Sequence, residues 1–177
     1  EDWLTLSQQG TQPIDAGPFH VHTSDFKPRE GAINFEIPAS QAFGTGQHET
    51  TAGCLEMLAD IKRRGSAVRR IADIGTGTGL LGFAAMRLWP GAEATASDID
   101  AVCAGVVADN AALNGVALGG KPGEMTMVIA DGMDHPLLKF RGPYDLLIAN
   151  ILAGPLVDLA PGFAQSVAPR GDLLLAG

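Results

Sequence analysis

From residue 70 onward the sequence switches repeatedly between two hydrophobic periods, and that alternation constrains the fold more than any other feature. Residues 70–74 read as a short strand, 80–89 as a helix stopped by Pro90-Gly91, and 94–98 as a strand. Residues 101–114 then read as a helix, 125–130 and 144–149 as strands, 155–167 as a helix and 172–176 as a strand. Repeated strand–helix units of this length dictate an α/β fold, a mostly parallel, Rossmann-like sheet with helices on both faces. The runs Leu146-Leu147-Ile148 and Leu173-Leu174-Leu175 are apolar on consecutive residues, as strands covered on both sides must be. Ahead of this series, Cys54, Leu55, Leu58 and Ile61 recur at three- and four-residue spacing, which predicts a helix from Thr50 to near Gly65.

Residues 1–40 have a different texture and are expected to form an N-terminal extension with two short strands, one at the alternating stretch 19–23 and one at 33–37 before Pro38. Residues 41–177 are then the main domain. The chain stops one residue after its last expected strand, so the outer side of that strand is expected to lack its cover and the domain to be incomplete at its C-terminus.

Composition narrows the function classes. With 46% hydrophobic residues the 177-residue chain can build one packed core. Twelve basic against 20 acidic residues leave a net charge of -8, which opposes direct nucleic-acid binding. The basic cluster Lys62, Arg63, Arg64, Arg69 and Arg70 brackets an expected helix end and strand start, where a solvated, dipole-complementing role suffices. Two cysteines, Cys54 and Cys103, lie in apolar helical patterns with no CxxC pair, as reduced cytoplasmic thiols do. No uncharged run reaches membrane-spanning length. His20 and His22 share a strand face, but no further ligand stands at useful spacing, and no metal site is expected.

The chemistry concentrates in Asp73-Ile74-Gly75-Thr76-Gly77-Thr78-Gly79, which joins a strand to a helix. Three alternate glycines, Gly75, Gly77 and Gly79, let backbone approach a ligand at a helix N-terminus that offers unpaired N–H groups. Two cofactors compete for such a loop. Residues 77–82 match the GxGxxG dinucleotide pattern, with Asp98 about 20 residues on as a ribose-binding acid. Counted from the strand, however, the first turn glycine is Gly75, and Asp73 stands where it would repel a pyrophosphate and attract a cationic ligand. S-adenosyl-L-methionine, a sulfonium, meets that demand. Asp73 would then lie near its methionine part, Asp98 would take the ribose hydroxyls, and Asp131 would accept from the adenine amino group. Ile99 and Gly132, the immediate neighbours of Asp98 and Asp131, join the expected cofactor site. Asp100 is placed as a helix N-cap and Asp109 on a solvated helix face, both outside the site.

Asn150 ends a strand just before Ile151-Leu152-Ala153-Gly154-Pro155. Its carboxamide can accept from an incoming amine while the amine's lone pair faces a methyl group, so Asn150 is expected at the cofactor and as a catalytic residue. Residues 42–51, with Phe43, Gly44, Gly46, Thr45, Thr50 and Thr51, are read as a polar loop that folds over a cofactor through Phe43. His48 in the same stretch stands either as a base orienting the acceptor or as a loop residue bonding to backbone.

Four segments taken together are more specific than a fold. Ala42-Phe43-Gly44-Thr45-Gly46-Gln47-His48-Glu49-Thr50-Thr51, the glycine loop, Ala96-Ser97-Asp98-Ile99-Asp100 and Asn150-Ile151-Leu152-Ala153-Gly154-Pro155-Leu156 resemble the catalytic domain of the ribosomal protein L11 methyltransferase family over about residues 35–177. The resemblance implies a cytoplasmic class I methyltransferase that transfers methyl groups from S-adenosylmethionine to lysine ε-amines and an N-terminal α-amine of ribosomal protein L11. It implies that Phe43 and Thr50 line the cofactor or acceptor cleft, that Gly75, Gly77 and Asp98 hold the cofactor, and that Asn150 lies beside the transferred methyl. Family members carry a separate N-terminal domain that grips L11 and an antiparallel C-terminal hairpin, both expected to be absent from this chain. Related methyltransferases of other proteins share much of the pattern. Methylation of a small molecule and a non-catalytic adenosyl-binding module remain alternatives.

Overall fold

The computed structural model describes residues 12–41 and 47–177. Its centre is a five-stranded, all-parallel sheet built from β4 (Arg70–Ile74), β5 (Glu93–Asp98), β6 (Met125–Ile129), β7 (Tyr144–Asn150) and β8 (Val167–Ala176) in the order β6-β5-β4-β7-β8. A second sheet joins β1 (Ile14–Ala16), β2 (Phe19–His22) and β3 (Ile33–Glu36), antiparallel between the first two and parallel between the last two.

The strands alternate in what they bury, which is why helices cover both faces. Ile71, Leu146, Ile148 and Leu174 face a core shared with α1 (Gln47–Arg63), α2 (Leu80–Leu88) and α3 (Val102–Leu113) through Leu55, Leu58, Phe83 and Val107. Ala72, Ile74, Leu147 and Ala149 face the opposite core, closed by Leu138 of α4 (Pro136–Arg141) and Phe163 of α5 (Ala153–Ser166). A fully buried Leu or Phe contributes roughly 1.5–3 kcal/mol, so the central strands are held from both sides.

The small sheet is not set apart from this core. Ile14, Phe19, Val21 and Phe35 are fully buried and belong to the same apolar cluster as Leu55 and Leu58 of α1. His20 and His22 stack with ring centroids 5.4 Å apart, and His20 Nδ1 donates to Asp15 at 2.7 Å. The resulting hydrogen bond, with Arg29 on the same carboxylate, holds Asp15 below the ordinary carboxylate range. Among the described residues no group of three or more His, Cys, Asp or Glu is arranged to hold a metal ion.

Several boundaries differ from the expectation. The helix expected from Thr50 begins at Gln47: Thr50 Oγ1 donates back to the Gln47 carbonyl at 3.2 Å, so residues expected as loop form its first turn. The last strand begins at Val167 and bulges between the pairs Tyr144/Val167 and Leu146/Asp172, with Arg170 in the left-handed region at φ 64°. Three elements are additional, one of them the single 3-10 turn Ala39–Gln41. β1 has three residues, and α4 has six, starting with Pro136 behind an N-cap in which His135 Nδ1 accepts from the Leu137 amide at 3.0 Å. Lys62 and Arg63 lie in the last turn of α1, with Arg63 and Arg64 paired to Asp60 and Lys62 5.6 Å over the Trp89 ring. Among the described residues no helix is long and apolar enough to cross a membrane.

Candidate active site

The sheet reverses its winding between β4 and β7. From β4 the chain steps outward through β5 to β6 and then returns to the other side of β4, leaving the carboxyl ends of β4 and β7 side by side while the helices that follow them, α2 and α5, pack in opposite cores. Open α/β sheets bind ligands at such a point. Here it is a cavity of about 870 Å³ that reaches from Gln41 and Thr50 across the glycine turn to Asp131 and Asn150.

Each strand tip contributes one polar side chain. Asp73 precedes the end of β4, Asp98 ends β5, Asp131 follows β6 by two residues and Asn150 ends β7; all four line the cavity. Gly75, Gly77, Ile99, Gly132 and Thr50 line it too. Two expected residues do not. Gly79 is buried beneath the turn, where a Cβ would lie 2.5 Å from Phe83 Cζ, so its place is dictated by helix packing. His48 lies in the first turn of α1, half-buried and away from the cavity wall. Phe43 lies outside the described residues.

The turn is shaped by its two flanking acids. Asp73, 2% exposed, accepts from Thr76 Oγ1 at 2.7 Å and from the Gly82 amide at 2.9 Å, both on Oδ2. Burial is the main force on its carboxyl; these bonds and the neighbouring Asp98 charge act against each other, and the pKa is pushed up to about 6. Asp98 Oδ2 accepts from the Gly77 amide at 2.9 Å and Oδ1 from the Asp100 amide at 3.1 Å. Each carboxylate oxygen has a second lone pair, so Asp98 still has capacity for a ligand hydroxyl. Asp100 Oδ1 in turn accepts from Val102 at the start of α3, and Asp109 is exposed. Burial also pushes the Cys54 and Cys103 thiols up to about 11, so both are neutral near pH 7.

Gly75 and Gly77 adopt φ of +70° and +58°, a region that side chains disfavour. A Cβ on Gly75 would overlap Ile151 Cγ2, whereas one on Gly77 would meet nothing within 4 Å. The first glycine therefore makes room for the β7 loop, and the second leaves the cavity open.

Among the lining residues to which the sequence reading gave no site role are two groups. Gln41 and Gln47 flank residues 42–46, and Ile151, Leu152, Pro155 and Leu159 form an apolar wall after Asn150. The apolar run following Asn150 was the available signal for the second group; nothing local marks Gln41. Among the described lining residues there is no lysine or arginine, so Asp73, Asp98 and Asp131 are the charged side chains on the wall.

A "Ribosomal protein L11 methyltransferase" of Rhizobium meliloti (strain 1021) is 45% identical over 178 residues, covering 99% of this chain and 59% of the relative. The chain thus spans about three fifths of the length of that curated relative. The crystal structure of a ribosomal protein L11 methylase from Lactobacillus delbrueckii subsp. bulgaricus is similar with a TM-score of 0.73 and 27% identity over 94% of this chain and 80% of that one. A glycopeptide N-methyltransferase, MtfA, crystallised with (S)-adenosyl-L-methionine, shares the fold with a TM-score of 0.51 and 19% identity over 70% of this chain and 53% of its own. The sheet is therefore the Rossmann-like class I methyltransferase sheet. The family model described as "Ribosomal protein L11 methyltransferase (PrmA)" matches residues 1–177, so the likeness extends through the first 34 residues, beyond the expected span of 35–177. With its glycine turn, strand-tip acids and Asn150 around one cavity, the chain belongs to the ribosomal protein L11 methyltransferase family.

Proposed function

We propose that this chain is the catalytic part of an S-adenosylmethionine-dependent N-methyltransferase acting on protein amino groups, lysine ε-amines or an N-terminal α-amine, with ribosomal protein L11 or a related cytoplasmic protein as acceptor. Residues 41–177 would form the cofactor-binding domain and residues 1–40 its N-terminal extension. The observation that carries the reading is the charge of the cavity: three carboxylates on successive strand tips and no described basic residue on the wall. Such a wall favours a cationic adenosyl ligand over a dinucleotide pyrophosphate. The fit is also spatial, since the open face of Gly77 and a volume of about 870 Å³ admit a nucleoside with an amino-acid arm.

When bound, S-adenosylmethionine supplies an electrophilic methyl group on a sulfonium. The protein's part is alignment and electrostatics. Asp73 braces the turn through Thr76 and Gly82 and places negative charge behind it. Asp98 holds the Gly77 amide and would accept from the ribose hydroxyls with its remaining lone pairs. Asp131 would accept from the adenine amino group, and Ile99 and Gly132, which line the same cavity wall, would border the base. Asn150 would offer its amide oxygen to an amine N–H and so orient the acceptor.

The acceptor must arrive uncharged. Discharging a lysine with pKa near 10.4 at pH 7 costs about 4–5 kcal/mol, against about 1 kcal/mol for an α-amine near 7.7–8.0. A carboxamide at the acceptor position suits that requirement, because it binds the neutral amine without stabilising the ammonium form. Incubating the full chain with methyl-labelled S-adenosylmethionine and purified L11 tests the proposal. Label is expected in L11; tight cofactor binding with label only in small molecules, or in nothing, overturns the protein substrate.

A further inference from the structure

Asn110 of α3 is completely buried, yet it is a polar residue 69 positions from one of its partners and 32 from the other. Its Nδ2 donates to Gln41 Oε1 at 2.8 Å and to the Thr78 carbonyl at 3.0 Å. Both partners line the cavity. Its Oδ1 is buried without a hydrogen-bond partner among the described residues. An aliphatic side chain would fill the same space without that cost, so what asparagine adds here is its pair of donors.

Those donors impose an order. A backbone carbonyl can only accept, so Thr78 fixes which way the Asn110 amide is turned. The second N–H of Asn110 then fixes Gln41 with Oε1 towards α3, and the end of Gln41 left for other partners is Nε2, a donor. In a cavity whose charged side chains are carboxylates, neutral donors are what can hold an anionic group of the ligand. One turn along the same helix face, Asn114 does something different: Oδ1 accepts from the Glu36 amide at 2.8 Å and Nδ2 donates to the Glu36 carbonyl at 2.9 Å, a purely structural clip on the end of β3.

Resting on the reading of this cavity as an adenosyl site, we propose that Gln41 is the neutral donor to the carboxylate of the bound adenosyl amino acid and that Asn110 is the positioning residue that holds it in that orientation. S-adenosylhomocysteine carries this carboxylate; 5′-methylthioadenosine keeps the nucleoside and lacks the amino-acid arm. Comparing the two ligands separates the role from general damage.

The test is calorimetric titration of the full chain with both ligands, in wild type and in Gln41→Ala, Asn110→Asp and Asn114→Ala variants. Gln41→Ala is expected to weaken S-adenosylhomocysteine about tenfold or more while changing 5′-methylthioadenosine less than twofold. Asn110→Asp removes both donors and turns Gln41 so that its oxygen faces the ligand, so it is expected to match or exceed that selective loss. Asn114→Ala is expected to lower the unfolding midpoint and leave both affinities within twofold. Equal loss of both ligands in the Gln41 variant, or no loss, overturns the proposal even if the Asn110 variant does not fold. Failure of wild type to bind either ligand overturns the adenosyl reading and this proposal with it, and is recognised by the wild-type titration alone.

Discussion

Replacing Asp73 by asparagine is expected to make the unliganded protein more stable at neutral pH and a poorer binder of its cofactor. Burial raises the Asp73 pKa from 3.8 to about 6, so the folded state holds the proton more tightly than the unfolded chain does. A carboxyl raised in this way favours folding fully below the unfolded pKa; that advantage drains away as pH climbs from about 4 to about 6 and is then flat. The gap of about two units corresponds to a loss of about 3 kcal/mol at pH 7, to order of magnitude. Asparagine cannot ionise, and it preserves the local bonds, because one oxygen, Oδ2, accepts from both Thr76 and Gly82. Urea unfolding at pH 4, 5, 6 and 7 should therefore show the two proteins alike at the acid end and the variant ahead by up to about 3 kcal/mol at pH 7. Titration with S-adenosylmethionine at pH 7 should show binding weakened about tenfold or more, since the variant lacks the charge that attracts the cation. A stability difference that does not change with pH, or a variant less stable than wild type at pH 7, would refute the electrostatic account of this residue.

Gly77→Val meets no protein atom within 4 Å of its new Cβ, so calorimetry should find cofactor binding abolished while unfolding shifts by only the roughly 1–2 kcal/mol of a left-handed side-chain residue. Asn150→Ala should bind cofactor within a few-fold of wild type and transfer labelled methyl about a hundredfold more slowly; equal loss of binding in both variants would contradict the assigned roles. Gly75→Ala drives a methyl group into Ile151, the neighbour of Asn150, and single-turnover assays should record binding and transfer falling together. Asp15, held below the ordinary carboxylate range chiefly by its bond from His20, stabilises the fold above the unfolded pKa near 4, and that contribution is lost as pH falls through its lowered folded value. Acid unfolding of Asp15→Asn, followed by circular dichroism, should lack this component.

The fold was legible where hydrophobic period alone decides structure. β4 is bounded as expected, at Arg70 and Ile74, and α2 stops at the Pro90-Gly91 signal because proline cannot continue a helix. Elements too short to show a period were not legible: three residues of β1 and six of α4 carry no repeat, and Pro136 was the only local sign of the latter. The last strand is expected from Asp172, whereas it begins at Val167, bulges, and keeps pairing with β7. In the site, an acid or amide just after an apolar run marks a strand tip, and Asp98, Asp131 and Asn150 stand out for that reason. Which groups those side chains bind is a property of loops meeting in space. Gly77 reaches Asp98 across 21 residues and Gln41 reaches Asn110 across 69, and no local pattern encodes either approach.

The burial of Phe19 and Phe35 in the same cluster as Leu55 and Phe83 has a practical consequence for anyone trimming this protein. Deleting the first forty residues to obtain a minimal fragment would uncover the back of α1, the helix whose opening turn carries Thr50 to the cavity rim. The leading strands are thus a bracket for the cavity, and protease cutting within them should unseat the cavity rim before it frees any independently folded fragment.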